Sequence, residues 1–188
     1  MTAEEILTAT LPSDVGEVPT SYTIVGHIAH MNLRPPHIPY KYHIGSVILS
    51  KACSQGITTV VNKLDIIDST YRNFQMEVIA GEENFNVTQN HLDCEFRFDF
   101  SKVYWNTRLE TEHRRLVDMF RPGEAVADVF AGVGPFAMPA GKKRVFVLAN
   151  DLNPDSYASM EGNIFANKVC RRRWLIVLIA GYKVCQGL

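Results

Sequence analysis

Two glycines one residue apart, preceded by one acid and followed seventeen residues later by another, form the part of this chain best suited to hold a ligand. The stretch reads Val126-Ala127-Asp128-Val129-Phe130-Ala131-Gly132-Val133-Gly134, and the second acid is Asp151, in Asn150-Asp151. Gly132 and Gly134 let the backbone bend sharply and approach a ligand closely. Asp151 falls at the end of the next expected strand, where a carboxylate can accept hydrogen bonds from both ribose hydroxyls of an adenosine. Two cofactors compete for this pattern. Gly132-Val133-Gly134-Pro135-Phe136-Ala137 satisfies the dinucleotide fingerprint G-x-G-x-x-A. A dinucleotide, however, rests its pyrophosphate on free N–H groups at a helix N-terminus, and Pro135 has no N–H to give. Asp128 would also repel a pyrophosphate, whereas it can hold the cationic amino-acid part of S-adenosylmethionine. S-adenosylmethionine is therefore the better fit, a nicotinamide cofactor the second, and a sharp strand-to-helix turn with no ligand the third.

The elements needed to position these residues are legible around them. Ala125 to Phe130 reads as a buried strand, and Pro135 starts a short helix, as proline is tolerated in a first helical turn. Arg144 to Ala149 reads as a second strand and Pro154 to Asn167 as a second helix, with Leu109 to Phe120 a helix before them. Strand, glycine turn, helix, strand, helix opens a doubly wound α/β domain. Upstream, Thr23 to His30, Thr58 to Val61, Phe74 to Ile79, Phe85 to Thr88 and Cys94 to Phe100 read as strands. Tyr40 to Ser54 reads as a helix, with Ile44, Val47, Ile48 and Ala52 at helical spacing. These predict a small α+β domain over 21–100, behind a loose leader at 1–20.

Composition narrows the class. With 188 residues, 46% hydrophobic and 21% charged, the chain is globular and long enough for one or two small domains. A net charge of -1 shows no electrostatic preference for nucleic acid, so RNA binding would rest on a local basic surface or on segments outside this chain. Four scattered cysteines with no C-x-x-C pair argue against a zinc site or disulfide framework. The longest apolar run, Trp174 to Ala180, is far short of a membrane span, and the acidic first twenty residues are unlike a mitochondrial transit peptide. His27 and His30, three apart in one strand, would face opposite ways and make no metal pair. Lys142-Lys143-Arg144 reads either as a phosphate-contacting or as a solvated loop, and Tyr104 and Trp105 either as base-stacking or as core.

Three segments together resemble the tRNA (guanine-37 N1)-methyltransferases of eukaryotes and archaea. They are Asp128 to Phe136, Asn150-Asp151-Leu152-Asn153-Pro154, and Ser101-Lys102-Val103-Tyr104-Trp105-Asn106-Thr107-Arg108-Leu109-Glu110-Thr111-Glu112-His113. Val25 to Arg34 and Val60 to Leu64 are similar to the family's small middle domain, so the match covers roughly 21–169. The resemblance implies an incomplete Rossmann-like methyltransferase domain over 101–169, S-adenosylmethionine as cofactor, tRNA as substrate, and methyl transfer to N1 of the guanine 3′ of the anticodon. It implies that Arg108 stabilises charge developing on O6, that His113 belongs to the cofactor site, and that Asp151 and Leu152 bind adenosine beside Asp128, Gly132 and Gly134. Read without the resemblance, Arg108 pairs with Glu110 or Glu112, and His113 is an ordinary helix histidine. A cytoplasmic and nuclear monomer without a membrane is expected, with the mitochondrial matrix a further family location.

After Val169 the match stops. The run Cys170-Arg171-Arg172-Arg173-Trp174 and onward to Leu188 has neither the acidic adenine-binding segment nor the catalytic loop of the family. With only two or three parallel strands, the second half is expected to expose apolar surface and to have little or no transferase activity. The rival readings are an aminocarboxypropyl transferase acting on a modified guanine of tRNA with the same cofactor, and a non-catalytic tRNA-binding fragment.

Overall fold

A computed structural model describes residues 1–67, 71, 73–169 and 176–180, with side chains at all but 65–67 and 176–180. The chain divides into two compact units, 1–68 with 74–85, and 69–73 with 86–188. The expected tail segment around Trp174 lies outside the described residues apart from the backbone of 176–180.

The first unit begins with a helix rather than the expected loose leader. Helix α1 (Ala3–Thr10) is started by a capping box: the Thr2 side chain accepts from Glu5 N–H while the Glu5 carboxylate accepts from Thr2 N–H. The T-x-x-E signal is present in the sequence, and it carries Leu7, fully buried, and Leu11 into the core. The expected strand over Thr23 to His30 is a hairpin, β1 (Thr23–Val25) and β2 (Ile28–Met31), bent at Gly26, whose φ is 56°. Helix α2 (Lys41–Ala52) then crosses to β3 (Thr59–Ile67), which pairs parallel with β2, as a helical crossover allows. Strand β4 (Phe74–Gly81) closes a sheet of order β1-β2-β3-β4. Gly45 lets α2 pack tightly on this sheet, since a Cβ there would lie 2.7 Å from the Ile79 carbonyl. Ile44, Ile48, Ala29, Val60 and Leu7 fill the layer between helices and sheet.

The second unit opens with a ribbon, β5 (Asn86–His91) and β6 (Cys94–Asp99), followed by α3 (Glu110–Met119). The sequence pattern places this ribbon in the first domain. It belongs to the second because β6 is held by its helix α5 (Pro154–Ala166): Asn163 Oδ1 accepts from Arg97 N–H at 2.8 Å and Asn167 Oδ1 from Glu95 N–H at 2.8 Å. Next come β7 (Ala125–Asp128), α4 (Ala137–Lys142), β8 (Phe146–Asp151), α5 and β9 (Ile176–Ala180). The three strands form a parallel sheet of order β7-β8-β9, the opening of a Rossmann-like fold as expected. Helix α4 starts at Ala137, two residues later than expected, because Pro135 and Phe136 still belong to the turn. Strand β7 is not the buried strand expected. Ala125, Ala127, Phe146 and Leu148 share one sheet face and are exposed, while Val147 and Ala149 are buried on the other, under α4 and α5. No described helix is long and apolar enough to cross a membrane.

Candidate functional site

The glycine turn closes on the end of β8. Ala131 N–H donates to the Asn150 carbonyl at 2.8 Å, and Gly132 N–H donates to Asp151 Oδ2 at 2.7 Å. Gly134 N–H turns back to the Ala131 carbonyl at 2.8 Å. Both glycines have positive φ, 55° for Gly132 and 93° for Gly134, where a side chain is strained. Their surroundings differ. A Cβ on Gly134 would lie 2.7 Å from Met138 Cε, while one on Gly132 would meet no protein atom within 4 Å. Gly132 thus presents bare backbone to open space, the side from which a ligand can approach.

Two acids line the turn. Asp151 Oδ1 accepts from Asn153 N–H at 2.9 Å, so each of its oxygens already takes one backbone donor and retains a further lone pair. Asp128 is mostly buried, its Oδ2 has no partner, and its pKa is pushed up to about 6 by burial and then by the charge of Asp151, against a backbone hydrogen bond from Phe130. Two nearby carboxylates, one with an unpartnered oxygen, favour a cationic ligand over a phosphate. The amides point the same way: those of Ala131, Gly132 and Gly134 are committed within the protein and Pro135 has none, so the turn offers little for a pyrophosphate. Val129, Phe130 and Leu152 stand exposed at the strand ends beside the acids and give the site apolar surface suited to a nucleoside. The residues present fit S-adenosylmethionine and argue against a nicotinamide dinucleotide.

Sequence reasoning missed three buried asparagines that hold this loop system. Asn150 Nδ2 donates to the Val129 carbonyl at 3.0 Å, Asn163 Nδ2 to the Val133 carbonyl at 3.2 Å, and Asn153 caps α5 through Asp155 N–H at 3.0 Å. Asn163 sits inside a helix that asparagine disfavours. That mismatch between residue and element was the available signal.

The other expected site residues lie apart from this cluster. His113 is buried, with Nδ1 3.0 Å from His91 Nε2 and its ring centroid 4.7 Å from that of Phe136, the last residue of the turn. Burial, then the neighbouring His91, lowers its pKa to about 4, and burial lowers that of His91, so both rings are neutral at pH 7. The geometry is that of a core histidine that supports the turn through Phe136. Trp105 is buried against His91, Phe96 and Phe98, whereas Tyr104 is exposed. Arg108 is exposed in a 3-10 turn (Thr107–Leu109) whose first N–H bond is capped by Asn106 Oδ1, 3.1 Å from Arg108 N. Glu110 pairs with Arg114 at 3.1 Å and Glu112 with Arg115 at 2.7 Å, so neither acid takes the Arg108 guanidinium. Among the described residues no hydrogen bond or ion pair joins Arg108 to the glycine turn. Of the basic triplet, Lys142 donates to the Asp93 carbonyl and Lys143 to the last carbonyls of α3, 2.7 Å from Val117 O. These contacts commit two of its three cations to the fold. His27 lies in the β1–β2 bend, and no metal-binding cluster occurs among the described residues.

Comparisons with known proteins agree with the fold and with the cofactor. The TYW2 N-terminal domain matches residues 3–84 and the TRM5/TYW2 methyltransferase domain residues 87–178. A tRNA (guanine(37)-N(1))-methyltransferase of Schizosaccharomyces pombe is 62% identical over 168 residues, which are 89% of this chain and 38% of that protein. The chain therefore spans little more than a third of that relative's length. Among solved structures, Trm5b of Pyrococcus abyssi is 34% identical with a TM-score of 0.74, over 86% of this chain and 48% of that one. TYW2 of P. horikoshii in complex with MeSAdo is 26% identical with a TM-score of 0.73, over 95% of this chain and 62% of that one. Two family domains that together match most of the chain, on a fold and a turn that suit them, place it in the TRM5/TYW2 methyltransferase family.

Proposed function

We propose that this chain carries the cofactor-binding front part of the methyltransferase domain of a tRNA (guanine-37 N1)-methyltransferase. The observation that carries the reading is the turn itself: a Gly132 amide locked to Asp151, an unpartnered Asp128 oxygen, and no array of free N–H groups for a phosphate. Asp151 and Leu152 would hold the adenosine, Gly132 and Gly134 would line its approach, and Asp128 would face the amino-acid end. When bound, S-adenosylmethionine supplies an electrophilic methyl group on a sulfonium. N1 of guanine carries a proton near neutral pH, so its loss leaves negative charge on O6. Arg108, whose guanidinium has no acid partner among the described residues, is the cation suited to stabilise that charge in a site closed to water. His113 acts from beneath, through Phe136, rather than by touching the ligand.

The 188-residue chain is expected to bind the cofactor better than it transfers methyl groups. A parallel sheet functions with both faces covered, and one face here carries exposed Phe146 and Leu148. A monomer in the cytoplasm and nucleus, with the mitochondrial matrix as a further family location, completes the reading on the strength of the resemblance. An aminocarboxypropyl transfer with the same cofactor is the second reading, kept on the strength of the resemblance. Calorimetric titration with S-adenosylmethionine and with NAD tests the cofactor: binding of the first alone is expected, and binding of NAD alone would overturn the reading. Mass analysis of tRNA modified by a chain of the relatives' full length separates a methyl from an aminocarboxypropyl product.

A further inference from the structure

Asn153 is almost fully buried, at 5% exposure, and, besides the helical bond from Tyr157 N–H to its carbonyl, makes three hydrogen bonds that lead in three directions. Its N–H donates to Asp151 Oδ1 at 2.9 Å, its Oδ1 accepts from Asp155 N–H at 3.0 Å to cap α5, and its Nδ2 donates to the Lys102 carbonyl at 2.7 Å. The cap alone does not explain the residue. Serine and aspartate cap helices about as well as asparagine, but ionised aspartate has no donor, and the serine hydroxyl that caps sits one bond nearer the backbone than the amide NH2 that reaches the Lys102 carbonyl. Only the bond to Lys102 uses the amide NH2.

That bond completes a continuous path. Gly132 N–H meets Asp151 Oδ2, Asp151 Oδ1 meets Asn153 N–H, and Asn153 Nδ2 meets Lys102 O. Lys102 O also accepts from Asn73 Nδ2. From Lys102 the chain is anchored at alternate residues, Val103 and Trp105 being buried, and Asn106 then caps Arg108 N–H. Lys102 Nζ lies 3.8 Å from both Asp99 and Asp155, but these exposed pairs fix little.

We propose that Asn153 is a positioning residue that couples the cofactor carboxylate Asp151 to the segment bearing Arg108, so that ligand binding at the turn steadies that segment. The proposal rests on the cofactor reading above and adds a residue to which that reading assigns no role. Hydrogen exchange read by mass spectrometry on the 188-residue chain, with and without S-adenosylmethionine, tests it against Asn153→Ser and Asn153→Asp, both of which keep a cap for α5. Without ligand, peptides over 101–109 should exchange about fivefold faster in the variants, the factor expected for one lost hydrogen bond, while those over 154–166 stay unchanged. With ligand, the parent chain should gain protection over both 128–153 and 101–109, and the variants over 128–153 alone. Equal ligand protection of 101–109 in parent and variants would overturn the coupling. So would faster exchange of 154–166 in step with 101–109, the mark of a merely structural role. No protection anywhere in the parent would instead sink the cofactor reading, and the ligand-free comparison of 101–109 would still decide whether Asn153 holds the segment.

Discussion

Asp128 offers the sharpest test of the proposed site, because its carboxyl has a raised pKa in the free chain and a cationic ligand would favour its charged form. Its folded pKa is about 6, against an ordinary value of 3.8. A raised acid favours the folded state fully below pH 3.8, and that advantage is lost as pH rises through 6. At pH 7 to 8 the ionised Asp128 therefore costs up to about 3 kcal/mol, taking about 1.4 kcal/mol for each pH unit that separates the two values. Asp128→Asn removes the charge and keeps an oxygen for the Phe130 hydrogen bond. It should stabilise the free chain at pH 8 by about 1–2 kcal/mol, a rise of roughly 3–6 °C in Tm for a chain this size, and by nothing at pH 4. Ligand binding should respond in the opposite sense. A cation beside Asp128 drives it to the ionised form, so binding at pH 6 should release about half a proton from a group half-titrated there. The same variant should bind S-adenosylmethionine at least about tenfold more weakly, the scale of one lost hydrogen bond to a charged group, and release no proton. Thermal melts followed by circular dichroism across pH 4–8, and calorimetry in two buffers of different ionisation heat, measure both halves. Equal Tm values at pH 8, or unchanged affinity and proton release, would refute the role given to Asp128.

The remaining expectations are narrower. The neutral His91–His113 pair works against the Asp128 trend: with folded pKa values lowered, its contribution is whole above pH 6.5 and falls as pH drops toward 4, by at most about 3 kcal/mol for His113. Urea titrations at pH 7 and pH 5 in the Asp128→Asn background should show that loss. Gly132→Ala should cost roughly 1 kcal/mol from its positive φ and weaken cofactor binding, whereas Gly134→Ala adds the clash with Met138 and should cost more in stability, as paired melts and titrations would reveal. Leu148→Gln, on the exposed sheet face, should leave Tm nearly unchanged and reduce concentration-dependent association in sedimentation, while Val147→Gln on the covered face should lower Tm sharply. In a chain of the relatives' full length, Arg108→Ala should slow methyl transfer by orders of magnitude with cofactor affinity barely altered, and a normal single-turnover rate would remove Arg108 from the chemistry.

The strand, turn, strand and helix of the second unit were legible because glycine, proline and β-branched runs act locally. The exposed face of β7 was not, because Ala125 to Phe130 is apolar at every position but Asp128 and reads the same whether one face is covered or two. The ribbon β5–β6 was assigned to the wrong unit for a related reason. Its alternation fixes it as strand, but its placement depends on Asn163 and Asn167, more than sixty residues away along the chain. Helix α1 carried its own marker in Thr2 and Glu5, overshadowed by an acidic composition typical of loose termini. That Asp128, Gly132, Gly134 and Asp151 meet at one turn was legible because their spacing is local to one β-α-β unit. The partner of Arg108 was undecidable from spacing, since Glu110 and Glu112 are both within reach. The structure resolves it by giving each acid a nearer arginine, Arg114 and Arg115.

The asparagines explain why the site can stay acidic. A lysine or arginine set against Asp128 or Asp151 would hold the loops more strongly than an amide, and would also fill the place proposed for a cationic ligand. Among the described residues no such pair forms with either acid. Neutral donors do the holding instead: backbone N–H groups on Asp151, and the amides of Asn150, Asn153 and Asn163 on the carbonyls of the surrounding chain. Neutral hydrogen bonds in a partly buried site are strong enough to fix the loops, yet leave the combined negative potential of the two carboxylates uncancelled. The raised pKa of Asp128 is the cost of that arrangement in the free chain, and in the proposed function a sulfonium nucleoside with its α-amino group would supply the positive charge that relieves it.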